Sequence, residues 1–68
     1  MTVASQVQQT LATLKNARAT LEIYATQSQN PEGKSVFATA AAETSAIIGE
    51  VEERLKLLEF EEPQYRGL

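Results

Sequence analysis

Apolar residues recur at intervals of three and four along the second half of the chain. Phe37, Ala41, Thr44, Ile48, Val51, Leu55 and Leu58 form one stripe, widened by Ala40 and Ile47. This spacing predicts a long amphipathic helix. Asn30-Pro31 marks its start, a capping residue followed by the residue that favours the first helical position. Glu62-Pro63 marks its end, because a proline pushes the preceding residue out of helical geometry. The predicted helix therefore covers residues 31–62.

A second periodic stretch precedes it. Val3, Val7, Leu11, Leu14, Ala17, Leu21 and Tyr24 mark one face, with Thr10 and Ala25 beside them. The opposite face is Gln6, Gln9, Thr13, Asn16, Thr20 and Gln27, polar but scarcely charged. Thr2 is the expected N-cap, and no glycine or proline interrupts residues 3–27, so one helix is predicted there. Residues 28–30 are left as a short turn, which makes the two helices antiparallel neighbours. Residues 63–68 form a tail without periodicity. It either frays or folds back so that Tyr65 caps the open end or a neighbour's groove.

The fold class is thus all-α: one domain over residues 1–68, an antiparallel two-helix hairpin. Val7, Leu14 and Leu21 are spaced by heptads, as are Val3, Thr10, Ala17 and Tyr24. Phe37, Thr44, Val51 and Leu58 keep the same interval on the second helix, predicting a coiled-coil-like seam. Phe37 should meet Tyr24 or Leu21 near the turn, with Leu55 and Leu58 at the open end opposite Val3 and Val7. Ala17, Ala41, Thr44 and Ala46 should line a close approach in the middle, where Gly49 would have a near neighbour.

Two helices do not enclose a core, and chains this short usually need disulfides, a metal or oligomerisation. Cysteine and histidine are absent, which leaves association. Ile47, Leu57 and Phe60 fall off the seam. Together with Tyr65 they are the candidate protein interface. The expected cover is a second copy, giving a homodimeric four-helix bundle, with a partner protein's helices as the competing cover.

Charge narrows the partners. The net charge is −3, whereas nucleic-acid binding needs a basic face. Residues 1–30 carry a net +1 and residues 31–68 a net −4, with acids concentrated near the end of the second helix. No basic-then-apolar leader is visible at the start, and no stretch has the roughly 20 apolar residues that span a bilayer. A soluble cytoplasmic location without membrane insertion is expected. The first helix also lacks the lysine- and arginine-rich face of membrane-surface helices.

Chemistry is sparse. General acid–base and nucleophilic catalysis draw most often on histidine or cysteine, so no catalytic residue and no enzyme activity are expected. Glu50, Glu52, Glu53, Glu59, Glu61 and Glu62 supply acids, but bundle metal sites add a Glu-x-x-His motif that the chain lacks. Glu43, Glu50 and Glu53 should face water, so neither a metal site nor a cofactor is expected. Gly33-Lys34-Ser35 resembles the end of a phosphate-binding loop, without the upstream glycine or preceding strand.

The opening Met1 to Leu11, followed by Leu14-Lys15 and Leu21-Glu22, and the close Glu61 to Gly67 resemble a family of small proteins from endospore-forming Bacillota. That family is catalogued as domain of unknown function one-six-five-seven. The resemblance implies a protein encoded beside spore-stage membrane proteins, in a setting linked to spore heat resistance. It supplies no catalytic residues. It implies a non-enzymatic helical interaction module in the forespore or spore, which docks on itself or on a spore membrane protein assembly. The alternatives are a small ligand or metal carrier using the acidic end of the bundle, and a structural spore component. Acidic charge argues against the latter coating DNA.

Overall fold

Thr2 and Asn30 open the two helices as their chemistry requires. The Thr2 Oγ1 accepts a hydrogen bond from the Ser5 N–H at 3.0 Å, and the Asn30 Oδ1 accepts one from the Glu32 N–H at 2.8 Å. Each cap satisfies a backbone donor that has no partner inside its own helix. The structure, a computed structural model, describes residues 2–66, with side chains as far as Glu61. Helix α1 is Val3–Gln27 and helix α2 is Pro31–Arg66. Between them residues 28–30 turn the chain, and the Ser28 N–H donates to the Tyr24 carbonyl at 2.9 Å.

The helices lie antiparallel along their length. At the turn the rings of Tyr24 and Phe37 meet edge to face, with centroids 5.4 Å apart, the pairing that the heptad spacing predicts. Toward the open end the Gln8 Nε2 donates to the Glu59 carboxylate at 3.0 Å. The molecule measures 57 × 17 × 10 Å, a slab one helix thick. Its radius of gyration is 16.1 Å, against about 11 Å for a compact domain of this length. No described helix is long and apolar enough to cross a membrane.

The seam of α2 is the expected one. Ala41 and Ile48 are buried, and Phe37, Thr44, Val51, Leu55 and Leu58 are half-buried. The seam of α1 is displaced to one side of its expected place. Ala4, Leu11, Arg18 and Ala25 run alongside Val7, Leu14 and Leu21, while Val3, Thr10, Ala17 and Tyr24 are exposed. Both rows repeat every seven residues and flank the same central column, so spacing alone does not choose between them. The row with Arg18 fits because the guanidinium reaches the Ser45 Oγ at 3.4 Å while its stem lies along the seam, the usual behaviour of a long charged side chain.

Three further expectations need correction. Gly49 has no close neighbour; a Cβ built there meets nothing within 4 Å, because it sits on the exposed side of α2. Ala17 and Ala46 are exposed rather than central. Helix α2 continues through Pro63 to Arg66 instead of stopping at Glu62. Proline removes one N–H donor and crowds the carbonyl four residues back, and α2 carries that defect in its last turn. The expected fold-back of Tyr65 concerns a side chain outside the described ones, as do Gly67 and Leu68 of the tail.

Candidate functional site

A hairpin one helix thick has two broad faces, and these two differ in chemistry. On the first, residues at heptad spacing face each other across the seam. Gln8 pairs with Glu59 at 3.0 Å, and Lys15 pairs with Glu52 at 3.2 Å. Both steps are seven residues, so the contacts form a ladder along one flank. Between its rungs lies an open groove of about 530 Å³ with Leu11 and Leu55 among its lining, rimmed by Lys15, Lys56, Glu52 and Glu59.

The second face carries the row Val3, Thr10, Ala17 and Tyr24 from α1. By the same heptad geometry it carries Ala40, Ile47, Arg54 and Glu61 from α2. From the turn to mid-length, Tyr24, Ala40, Ala17 and Ile47 present no charge. Val3, Tyr24 and Ile47 are each about half exposed or more. Over that half the face is uncharged where the first is ionic, and Arg54 and Glu61 charge its open end.

Of the residues proposed from sequence, Ile47 belongs to this uncharged face. Leu57 and Phe60 are neighbours three residues apart on the outer side of α2, 57% and 71% exposed. Ile47 is ten residues from Leu57, about 15 Å along the axis, so the three do not form one patch. Tyr65 has a helical backbone, and its side chain is outside the described ones. Sequence reasoning missed Tyr24, Val3 and Ala17 as surface, because it assigned their row to the seam. It also missed Val36 and Ile23, both exposed, whose isolation in polar surroundings gave no periodic signal.

Five threonine hydroxyls are turned inward to their own helices. Thr10, Thr13, Thr20, Thr26 and Thr44 each donate to the carbonyl four residues back, at 2.8–3.2 Å. Among the described residues no group of three or more acidic side chains comes close enough to hold a metal ion. Most of the described carboxylates are spread along α2, and of these Glu52 and Glu59 meet Lys15 and Gln8 of α1.

Residues 7–55 match a family described only as "Protein of unknown function (DUF1657)". The matched span is most of the chain, and it omits the closing string and much of the opening one. No curated protein and no solved structure matches the chain significantly.

Proposed function

The chain belongs to that family of unknown function, and we propose that it acts as a non-enzymatic interaction module, a helical hairpin completed by pairing with a second copy. One observation carries this reading. The hairpin is 10 Å thick and leaves Val3, Tyr24 and Ile47 exposed along one broad face, against four buried apolar residues among those described. Stable domains pack two layers of secondary structure around a core; this chain supplies one. A second hairpin supplies the other and yields a four-helix bundle.

The setting follows from the resemblance of the chain's ends. In this reading the module works in the forespore or spore cytoplasm of an endospore-forming bacterium and serves a spore membrane protein assembly. Leu57 and Phe60, adjacent on the outer side of α2, stay free in the paired module and offer that assembly a contact. The absence of histidine and cysteine and the self-bonded threonines support a role without catalysis.

Light scattering on a sizing column, over a wide concentration range, tests the reading. It predicts a mass of twice the 7.4 kDa chain. A helical species that keeps the mass of one chain at every concentration would contradict it.

A further inference from the structure

We infer that the second copy docks on the uncharged face, through Ala17, Tyr24, Ala40 and Ile47, and leaves the Lys15–Glu52 face open to water. The inference rests on the self-association proposed above and adds which side of the slab is covered.

Surface area fits a second copy as the occupant. The chain exposes 5167 Å², where a compact monomer of its mass exposes about 4,200 Å². The excess is roughly 1,000 Å², and a stable interface removes about 800 Å² from each partner. One copy laid along one face accounts for it.

Desolvation then selects the face. Covering the ladder face would take Lys15, Glu52, Lys56 and Glu59 out of water, and removing charges from water costs free energy that their pairing returns only in part. The other face offers Ala17 and Ile47 near mid-length, with Tyr24 and Ala40 one heptad toward the turn. Its charges, Arg54 and Glu61, lie toward the open end. The sequence pattern has the same explanation. The row Val3, Thr10, Ala17 and Tyr24 is low in charge at heptad spacing, yet the hairpin alone leaves it exposed. A row that carries no charge and is left bare by its own chain is covered by another.

The chain has no cysteine, so a single introduced thiol reports on one position. Ala17→Cys probes the uncharged face and Ala38→Cys the ladder face; both alanines are exposed in the hairpin, and both changes are small. Iodoacetamide labelling is followed above and below the dimer's dissociation concentration, with the mass measured alongside. The expected result is slowing at position 17 on the order of tenfold on dimerisation, since a packed interface excludes water, with position 38 labelled equally fast in both states. A dimer in which position 38 is protected, or position 17 is not, would overturn the face assignment and leave self-association standing. A single-chain mass at all concentrations would overturn both.

Discussion

Lys15 and Glu52 pair across the hairpin at 3.2 Å, one heptad from the Gln8–Glu59 contact, and so fix the register of the two helices. Both side chains are about half exposed, so the pair sets alignment more than stability. We predict that Lys15→Ala and Glu52→Ala each cost about 0.2–1 kcal/mol. A double-mutant cycle in urea unfolding measures the coupling, which should shrink at high salt because exposed charges are screened.

Ile48 carries the core. It is 3% exposed, and Ile48→Ala should cost about 2–5 kcal/mol, most of what a chain this small can have. Ile48→Asp, which buries an unpaired charge, should abolish the far-UV helix signal. Phe60→Asp should keep it, because Phe60 is 71% exposed and makes no part of the seam. Circular dichroism of the two variants separates these roles.

The glycines of α2 give a paired test. Open space surrounds Gly49, so Gly49→Ala should stabilise by about 0.5–1 kcal/mol, the usual penalty of glycine inside a helix. A Cβ at Gly33 would lie 2.6 Å from the Ser28 Oγ, a hydroxyl that donates to the Asn30 carbonyl at 3.3 Å. Gly33→Ala should therefore gain less, and Ser28→Ala in the same chain should restore the difference. Thermal unfolding of the three variants checks the order.

Removing the cap of α2 has a defined cost as well. Asn30→Ala strands the Glu32 N–H that its side chain now satisfies at 2.8 Å and should destabilise by about 0.5–2 kcal/mol. Asn30→Asp should retain most of the stability, since an aspartate accepts the same bond.

The helices, both caps, the turn and the stripe of α2 were legible in the sequence because each rests on local chemistry. Asn30-Pro31 and Thr2 need no tertiary information, and the Phe37-to-Leu58 spacing admits one face only. The face of α1 was not legible to the same degree. Two rows flank Val7, Leu14 and Leu21, and the hairpin takes the one containing Arg18, whose charge hides a stem that packs and a head that reaches Ser45. Pro63 misled for the opposite reason, since the bias a proline places on the residue before it was read as a stop, whereas α2 carries the proline in its last turn. Exposure of Tyr24 and Ile47 on one side needed three dimensions, because it depends on how two separate heptad patterns face each other.

Pairing stabilises the folded hairpin in this account, so the most direct test is the thermal unfolding midpoint as a function of protein concentration, followed by the helix signal. A chain stabilised by its second copy should show a midpoint that rises steadily with concentration, as mass action requires. A cooperative transition with the same midpoint over a hundredfold range, roughly the span that mass action would resolve, would show that the hairpin stands alone and contradict the account.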